Sequence, residues 1–433
     1  MAFQTIKGTH DILPEDSTSW QKLEHIIHDV AARFGYSEIR TPIFEDTSLF
    51  SRSVGEDTDI VSKEMYTWQD RSGGSITLRP ELTAPVARAF IQHNLGRKSP
   101  LQRMYYMGPL FRRERPQKGR QRQFHQFGIE AFGSKFPEQD AEIIAIGYII
   151  FSKLGLKDLS LKLNSLGSGE YRSHYKKALQ DYFNPLKNQL SETSQKRLES
   201  NPLRILDTKN PDEQTLLAEA PSIADFWSED DQKHFSHVQD LLSSLEIPFE
   251  LDSRMVRGLD YYTRTTFEFI SSNLGAQDAV CGGGRYDGLV ETLGGKPTPA
   301  IGFAAGMERI LMSIDPQEKS IEGNSVYLIN LVESASGKAL QVANEIRELG
   351  FAVTMDTLRR SLKAQLRDAN RIGAIKVVIM GDEEIKNQTL QIKDLTTGEQ
   401  EEIAESDFES ANLTTGTTKP SGIAIATPIL IWL

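Results

Sequence analysis

The chain has 433 residues, more than one hydrophobic core usually organises, so we expect two or three domains. Its 39% hydrophobic and 25% charged residues are typical of a globular protein, and no apolar stretch is long enough to cross a membrane. The formal net charge of -11 excludes a protein that coats nucleic acid indiscriminately, but it permits a local basic site.

The cysteine and histidine content limits the metal and redox chemistry of the chain. Cys281 is the single cysteine, so no disulfide forms within the chain and zinc sites with three or four thiolates are excluded. The histidines show no paired spacing such as H-E-x-x-H, and we expect no metal site built by the protein. The N-terminus lacks a secretion signal, which favours the cytoplasm.

The first elements predicted are a helix and a strand. Apolar residues recur at helical spacing from Thr18, with Ser17 as the cap and Gly35 as the stop. SEIRTPIFED follows, and Pro42 within it cannot donate to a ladder, which predicts an edge or interface strand. Further on, TLRPELTAPVARAF places Glu81 and Thr83 before a predicted helix.

Residues 101–132 are predicted to form a long hairpin, with the polar turn PQKGRQ between two apolar strands. In the second strand, a period of two separates His125, Phe127, Ile129 and Ala131 from Phe124, Gln126, Gly128, Glu130 and Phe132. Around the turn the sequence has one anionic residue, Glu114, and six cationic residues. The cationic residues are Arg112, Arg113, Arg115, Lys118, Arg120 and Arg122.

A basic run of this kind is more often a solvated turn than part of an active site. Here apolar strands carry Arg112 towards the interior, and Gln126 and Glu130 share a face of a strand whose other face is apolar. Buried polar groups need partners. The run therefore predicts a site that handles ATP and RNA on an acidic protein.

The segment 170–250 has helical patterns and polar loops, and we interpret it as an inserted helical module. Strand-like sequence resumes at RGLDYYTRTTFEFI and AVCGGGRYDG, where three glycines let a ligand approach the backbone. GFAAGMERILMSI, residues 302–314, is predicted to be a helix.

From Ser325 to about Asp407, alternating strands and helices predict a small α/β domain. Its first helix is predicted to run through Leu340, Ala343, Ile346 and Leu349. Its second helix is predicted to place Leu358, Leu362 and Leu366 on one stripe, with a basic face formed by Arg359, Arg360, Lys363, Arg367 and Arg371. We expect this face to contact solvent or RNA. The apolar tail 414–433 has no assigned role.

Taken together, several blocks in one order resemble the histidyl-tRNA synthetases, class II aminoacyl-tRNA synthetases, in their compact bacterial type. The blocks are KGTHDILPEDS, YSEIRTPIFE, TLRPELTAPVAR, FRRERPQKGRQRQFHQFGIEAFG, RGLDYYTRTTFE, CGGGRYDGLVETLGG and PAIGFAAGMERI. The resemblance implies an α+β fold, with an antiparallel six-stranded sheet and flanking helices, an inserted module and a C-terminal α/β anticodon-binding domain. The sequence departs from the family pattern at Leu82, where glycine is frequent, and at Arg113, where histidine is frequent.

The domain boundaries that follow are 1–169 and 251–318 for the two parts of the catalytic domain, 170–250 for the inserted module and 325–413 for the anticodon-binding domain. The tail 414–433 has no counterpart. The resemblance also implies a homodimer, with YSEIRTPIFE at its interface.

The reaction implied is attack of the L-histidine carboxylate on the α-phosphate of ATP with Mg²⁺, followed by acyl transfer to tRNA(His). The nucleophile is already ionised at neutral pH, so catalysis depends on positioning and on cations rather than on a strong base. Arginines suit this role because they stay protonated and bind phosphate bidentately.

Residue by residue, the resemblance implies three groups. The catalytic arginines are Arg112, Arg257 and Arg309, of which Arg112 and Arg309 bind ATP together with Glu114. The histidine-binding residues are Arg112 and Arg257 together with Glu81, Thr83, Gln126, Glu130, Tyr261, Tyr262 and Tyr286. The tRNA-binding residues of the turn are Gln117, Lys118, Arg120 and Arg122.

Two alternatives remain open at this point. One is a non-catalytic paralogue like the regulatory subunit of ATP phosphoribosyltransferase, which resembles the catalytic core and lacks the anticodon domain. The other is a prolyl- or threonyl-type synthetase, against which RGLDYY and Glu130 argue.

Overall fold

The computed structural model describes residues 3–55, 58–117, 119–156, 158–208, 210–256, 259–271, 279–314, 325–408 and 413. The chain divides into two compact units, Met1–Ser320 and Ile321–Leu433. The predicted tail 414–433 lies outside the described residues.

The strands of the first unit are β1 Ser37–Glu38, β2 Phe44–Asp46, β3 Tyr66–Gln69, β4 Ser75–Leu78, β5 Gln102–Phe111, β6 Gln123–Phe132, β7 Leu159–Ser165, β8 Glu250–Leu251, β9 Thr263–Ser271, β10 Ala279–Arg285 and β11 Ala300–Gly306. Its α-helices are α1 Pro14–Arg33, α2 Thr47–Val54, α3 Thr83–Gln92, α4 Leu95–Lys98, α5 Pro137–Lys153, α6 Gly169–Phe183, α7 Glu192–Ser200, α8 Pro211–Leu217, α9 Glu229–Ser244, α10 Leu289–Thr292 and α11 Met307–Ser313. Short 3₁₀ turns span Asn184–Gln189, Pro202–Ile205 and Ile223–Phe226, and a π-helical turn spans Ile60–Glu64.

The main sheet has eight strands in the order β1-β5-β6-β11-β10-β9-β7-β8. The six inner strands pair antiparallel, as the resemblance implies, whereas the two-residue strands β1 and β8 add a parallel pair at each edge. A separate three-stranded sheet has the order β2-β4-β3. Pro42 lies between β1 and β2 and belongs to neither, because its ring nitrogen has no proton to donate.

Helix α1 starts earlier than its apolar spacing predicts. It begins at Pro14 rather than at Thr18, because proline fits the first helical position and two acidic residues favour the first turn. Ser17 is therefore inside the helix and is not its cap. Gly35, with φ +76°, follows the end of the helix as predicted.

The two faces of β6 enter different cores, as the period of two predicts. Phe127, Ile129 and Ala131 are buried with side chains of α1, α5 and α9. On the opposite face, Phe132 is buried with side chains of α3 and α6. The hairpin β5–β6 thus separates an apolar core from the side of the sheet that carries Gln126 and Glu130.

The segment predicted as an inserted helical module packs in two places. Helices α6, α7 and α8 contribute Tyr175, Leu179, Leu198 and Leu217 to the core that contains Phe132. Helix α9 instead packs against α5 on the other face of the sheet. Helices α6, α7 and α8 therefore cover one face of the sheet, whereas α9 covers the other.

Residues 302–314 are not one helix. Strand β11 runs to Gly306 and only then does helix α11 begin. The apolar residues Ile301, Phe303 and Ala305 of β11 alternate into the core, which matches a strand period of two. Strand β11 contains three alanines and two glycines, whose small side chains allow close packing between β10 and β6. The helix prediction, which rested on this composition, was therefore wrong for residues 302–306.

The second unit is a small α/β domain, as predicted. Its strands are β12 Ser325–Asn330, β13 Ala352–Met355, β14 Lys376–Met380, β15 Thr389–Asp394 and β16 Gln400–Ala404; its helices are α12 Ser336–Glu348, α13 Leu362–Arg371 and α14 Asp382–Asn387. Short 3₁₀ turns span Glu333–Ala335 and Glu405–Asp407. The sheet order is β13-β12-β14-β15-β16, parallel for the first three strands and antiparallel for the rest. Helices α12 and α13 cover opposite faces of this sheet.

The first helix of this unit lies where its apolar spacing predicts it, whereas the leucine stripe predicted for the second helix is partly wrong. Helix α12 buries Ala343 and Ile346, but Leu340 is 54% exposed and Leu349 is 39% exposed. Helix α13 begins only at Leu362, because Arg359 has a left-handed φ of +54° and the preceding residues form a turn. Leu358 is consequently 73% exposed and Leu362 37% exposed, and the buried face of α13 carries Gln365 and Ala369.

Candidate active site

A cavity of about 340 Å³ opens beside β6, β10 and β11, with the first turns of α3 and α11 at its rim. It brings together most of the predicted site residues that the structure describes. These lining residues are Glu81, Thr83, Arg112, Glu114, Arg120, Gln126, Tyr261, Tyr262, Tyr286 and Arg309.

Five predicted site residues are not on this lining. Glu130 is fully buried beneath it, Gln117 lines a neighbouring cavity, and Arg122 belongs to neither lining. Arg257 and Lys118 lie outside the described residues. The cavity therefore joins the predicted ATP and histidine residues, with only Arg120 representing the predicted tRNA contacts.

Glu81 is buried at the N-terminus of α3. Its carboxylate accepts hydrogen bonds from the backbone N–H groups of Thr83 (2.8 Å) and Ala84 (3.0 Å). These bonds satisfy two of the unpaired donors that every helix start exposes. Burial raises the pKa of Glu81 to about 7, although the backbone hydrogen bonds and Arg112 act in the opposite direction. Leu82, with φ −116°, fits this turn without the conformational freedom of glycine.

Glu130 lies beneath the cavity floor and is surrounded by hydroxyl groups. Thr83 Oγ1 donates to Glu130 Oε1 (2.8 Å), as does Tyr106 Oη (3.1 Å), and Tyr286 Oη bonds to Oε2. Burial raises the pKa of Glu130 to about 8 and the charge of Glu81 raises it further, although the hydrogen bonds from Tyr286, Thr83 and Tyr106 act in the opposite direction. Thr83, Tyr106 and Tyr286 reach the lining, so Glu130 governs the polarity of the floor through them.

Gly302 makes room for this carboxyl group. It pairs with Glu130 across β6 and β11, and a Cβ there would collide with Glu130 Oε2. Neither Gly302 nor Tyr106 was singled out from the sequence. The signal for Gly302 was a glycine in the middle of an apolar strand, which often marks a close approach.

Two arginines stand at the mouth of the cavity. Arg112 Nε donates to the carbonyl of Pro80 (2.8 Å), and its guanidinium lies 5.2 Å from the centre of the Phe124 ring. Arg309 donates from Nε to the carbonyl of Gly119 (3.1 Å) and from Nη1 to that of Ala279 (3.0 Å). Backbone carbonyls thus fix both guanidinium groups while their charge remains directed at the cavity.

Glu114 moderates this positive charge. Its carboxylate lies 3.7 Å from Arg112 Nη1 and 3.4 Å from Arg120 Nη1. Burial lowers the pKa of Arg309, and Arg120 and Arg112 lower it further, so the cations at the mouth repel one another. A polyanion that enters the cavity would relieve this repulsion.

The polar turn between β5 and β6 is short and held by backbone hydrogen bonds. Gln117 and Arg120 exchange two of them, at 3.1 and 2.8 Å. The N–H of Arg122 donates to the carbonyl of Gly8 (2.7 Å), which ties the turn to the N-terminal segment. Arg120 lines both this cavity and the neighbouring one, whereas Gln117 lines only the neighbouring one.

Arg285, within GGGRYDG, supports the site without facing it. Its side chain is fully buried; Nε donates to both carboxylate oxygens of Asp140 (3.0 and 2.9 Å), and Nη1 and Nη2 donate to the carbonyls of Ser134 and Phe136. Burial acts to raise the pKa of Asp140, but the guanidinium of Arg285 holds it below its ordinary value. This pair anchors the end of β10 next to Tyr286.

Neither a cluster of metal-ligating side chains nor a membrane-spanning helix is present in the part of the chain that the structure describes. No group of three or more His, Cys, Asp or Glu side chains there could hold a metal ion. No helix among the same residues combines the length and the apolar character that crossing a membrane requires.

Comparison with protein families assigns residues 8–310 to histidyl-tRNA synthetase and residues 325–413 to an anticodon binding domain. The chain belongs to the histidyl-tRNA synthetase family. Among its relatives is the histidine-tRNA ligase of Synechococcus sp. (strain JA-3-3Ab), 47% identical over 407 residues, which are 94% of this chain and 97% of that protein. The histidine-tRNA ligase of Listeria innocua is 49% identical over 414 residues, with 94% and 97% covered.

Solved structures of this family share the fold. The apo histidyl-tRNA synthetase of S. aureus aligns with a TM-score of 0.79 and 36% identity, covering 94% of this chain and 98% of that one. An ATP phosphoribosyltransferase regulatory subunit/histidyl-tRNA synthetase from Bacillus halodurans C aligns with a TM-score of 0.64 and 21% identity, covering 86% and 97%. The second likeness concerns the fold alone.

Proposed function

We propose that this chain attaches L-histidine to tRNA(His) in an ATP-dependent reaction that passes through histidyl-adenylate and releases AMP and diphosphate. The observation that carries the proposal is one cavity with two chemically different ends. One end is a floor of hydroxyls above the buried Glu130, and the other is a mouth flanked by Arg112 and Arg309.

The floor suits the imidazole ring of histidine. A neutral imidazole has one donor and one acceptor nitrogen, and hydroxyl groups can serve both. The hydrogen bonds to Glu130 determine which hydroxyl groups donate to its carboxylate and which are free to bond to the imidazole ring. An amino acid without ring nitrogens would leave these buried polar groups unpaired, so strong rejection follows without an editing step.

The residues around the floor are assigned to the rest of the amino acid. Glu81 and Gln126, together with Thr83, line the cavity where an ammonium group would find acceptors. Tyr261 and Tyr262 form the apolar wall, with ring centres 4.8 Å apart. We assign Arg257 to the carboxylate and the α-phosphate on the strength of the family pattern.

The chemistry at the mouth is displacement at phosphorus. A histidine carboxylate oxygen bonds to the α-phosphorus while the bond from that phosphorus to the bridging oxygen breaks, and diphosphate departs with the negative charge. Arg112 and Arg309 are held by backbone carbonyls before the substrate arrives, so little reorganisation is needed when charge builds up on the phosphates. Glu114 keeps Arg112 oriented and completes the assigned ATP site.

We assign Mg²⁺ to the triphosphate rather than to a cage of protein ligands. Mg²⁺ usually takes one or two carboxylates together with substrate phosphates and water. Glu114 and Glu268 are carboxylates on the cavity lining that fit this requirement. Bound there, the ion would neutralise phosphate charge.

The tRNA is assigned to two surfaces. The polar turn would receive the acceptor end through Gln117, Lys118, Arg120 and Arg122, and of the described residues among them Arg120 lines the cavity. In the second unit, Arg360 and Arg371 pair with Asp368, whereas Lys363 and Arg367 are exposed, and no ion pair in the described part of that unit involves them. These two side chains are four residues apart on α13 and provide a basic face for phosphates.

We further propose a homodimer in the cytoplasm, with the catalytic domain at 1–169 and 251–318, the inserted module at 170–250 and the anticodon-binding domain at 325–413. Support for the dimer comes from the three-stranded sheet and the segment before it. There Ile43, Phe44 and Trp68 are large apolar side chains exposed to between 42% and 55%. Apolar patches of this kind mark interaction surfaces.

The test is histidine-dependent exchange of labelled diphosphate into ATP, with the full-length chain and Mg²⁺. We expect exchange with histidine and none with other amino acids. Arg112→Ala should reduce the rate by at least about a hundredfold, since it removes a charge that stabilises the transition state. Arg33→Ala, an exposed arginine on α1, is the matched control and should leave the rate unchanged. A pure, folded protein without exchange would refute the proposal and favour a non-catalytic paralogue.

A second measurement addresses the tRNA step. Arg120→Ala should slow aminoacylation of tRNA(His) more than it slows diphosphate exchange, because phosphate contacts to the acceptor end matter only when tRNA is bound. Equal losses in both reactions would assign Arg120 to ATP through its contact with Glu114 instead.

A further inference from the structure

The loop 259–262 carries two tyrosines of the cavity wall, and the helices of the inserted module pack directly against it. Leu259 and Tyr261 lie against the same core that contains Tyr175 and Leu179 of α6. This apolar contact brings a polar residue of the loop, Asp260, to the module as well. The module and the cavity wall therefore share one packed boundary.

Asp260 is bonded to a buried side chain of the module. Asn201, 6% exposed, follows the end of α7, and its Nδ2 donates to Asp260 Oδ1 at 2.7 Å. The side-chain oxygen of Asn201, Oδ1, is buried and accepts no hydrogen bond from the residues that the structure describes. The amide of Asn201 is thus held in this place although only one of its two polar ends has a partner. A residue that served only as a local cap would have no need of this burial.

Two cations of α6 lie on the same side of Asp260. Arg172 Nη2 approaches the backbone carbonyl of Asp260 at 3.5 Å, and the charge of Asp260 acts on both Arg172 and Lys176. Both side chains are partly withdrawn from solvent. The module therefore places two cationic side chains near Asp260, one of them at its backbone carbonyl.

On its opposite side Asp260 meets the end of α2. Its N–H donates to the carbonyl of Val54 at 3.4 Å. Gly55 has φ +100°, and a Cβ there would lie 2.6 Å from Asp260 Oδ2. The residue is therefore confined between α2 and the module, with little space to move.

The next two residues in the chain reach the cavity. The ring of Tyr261 lies 5.5 Å from that of Tyr286, whose hydroxyl bonds to Glu130. Since Tyr261 and Tyr262 directly follow Asp260, a shift of Asp260 by one ångström would move the wall against which the imidazole is proposed to pack.

We propose that Asn201 is a positioning residue for amino-acid binding: its bond to Asp260 lets the inserted module set the position of Tyr261 and Tyr262 in the histidine pocket. This inference rests on the proposed function. It assigns to the module a second role besides any contact with tRNA. Because ATP binds at the other end of the cavity, the effect is specific to the amino acid.

The experiment measures KM for histidine and for ATP in diphosphate exchange with the full-length chain. Asn201→Ala removes the donor to a carboxylate, and we expect KM for histidine to rise about tenfold while KM for ATP stays within about twofold. Asp260→Ala should give the same pattern. Asp260→Asn keeps an acceptor oxygen for Asn201 and should restore KM for histidine to within about threefold of the parent value.

The control is Asn210→Ala, the same substitution in the same module at the cap of α8, where the side chain accepts from Asp212 N. It should leave both KM values unchanged. In the double variant Asn201→Ala/Asp260→Ala, KM for histidine should rise no further than in the more strongly affected single variant, because both substitutions remove the same hydrogen bond.

Three results would overturn the inference: an unchanged KM for histidine in a folded Asn201→Ala variant, equal rises in KM for histidine and ATP, or multiplied effects in the double variant. Asp260→Asn behaving like Asp260→Ala would also contradict it. These results are distinct from failure of the proposed function, in which the parent chain itself shows no histidine-dependent exchange.

Discussion

Glu130→Gln is expected to stabilise the protein at alkaline pH while it impairs histidine use. The folded state holds Glu130 with a pKa of about 8, against 4.5 for an ordinary glutamate, because burial and the charge of Glu81 disfavour its ionised form. Folding therefore favours the protonated form. The contribution of Glu130 to stability is fully present below pH 4.5 and is lost as pH rises towards 8. Glutamine is uncharged at every pH, and its oxygen and nitrogen can replace the bonds to Thr83 and Tyr286.

The size of the effect follows from the proton that only the folded state keeps. Between pH 6 and pH 8 the unfolded chain has lost this proton and the folded chain largely retains it, which costs about 1.4 kcal/mol for each pH unit. Since the folded chain itself loses half of this proton at pH 8, the stability of Glu130→Gln relative to the parent should grow by roughly 2 kcal/mol over this range. For a unit of this size, that corresponds to a relative increase of about 3 °C in the unfolding midpoint.

The assay is thermal or urea unfolding of both proteins at pH 6 and pH 9, followed by the signal of the first unit. Glu199→Gln is the control: Glu199 is exposed, and its bond to Lys187 lowers its pKa, so its effect should be the same at both pH values. If the difference between Glu130→Gln and the parent is likewise the same at pH 6 and pH 9, the carboxyl is not held protonated and the reasoning fails. In the same variant, kcat/KM for histidine should fall at least about tenfold.

Further predictions concern the neighbours of this carboxyl. Tyr286→Phe should raise KM for histidine about tenfold and leave KM for ATP unaltered in diphosphate exchange, because it removes one hydroxyl from the floor; an equal effect on both would place Tyr286 outside the amino-acid pocket. Arg285→Ala should lower the free energy of unfolding by about 3 to 5 kcal/mol in urea titrations, since the buried carboxylate of Asp140 would keep His234 as a partner but lose its guanidinium; a loss below about 1 kcal/mol would contradict the buried pair. Gly302→Ala should abolish exchange or folding because its Cβ collides with Glu130, and full activity would refute the close approach.

Much of the fold followed from local pattern. The hairpin β5–β6 and the opposite faces of β6 were predictable because a period of two is a backbone property that needs no tertiary information. The helix that begins at Thr83 and the small α/β unit were predictable for the same kind of reason. The predictions failed where tertiary packing overrides local pattern. Residues 302–306 form a strand because β6 and β10 pair with it, and α13 starts late because the chain turns at Arg359.

The features of the candidate site likewise divide into those that the sequence predicts and those that depend on tertiary packing. Which side chains carry charge and hydroxyl groups is written in the sequence, and so is the excess of arginines in the turn. Their depth is not. Glu81 and Glu130 differ from ordinary glutamates only because strands and helices distant in sequence remove water from around them, and desolvation is a property of the assembled fold. Likewise, Asn201 meets Asp260 only after the module has packed on the loop, since 59 residues separate them in the chain. The sequence by itself determined the chemical inventory, and the tertiary structure decided which of those groups are buried, which face the cavity and which hold the others in place.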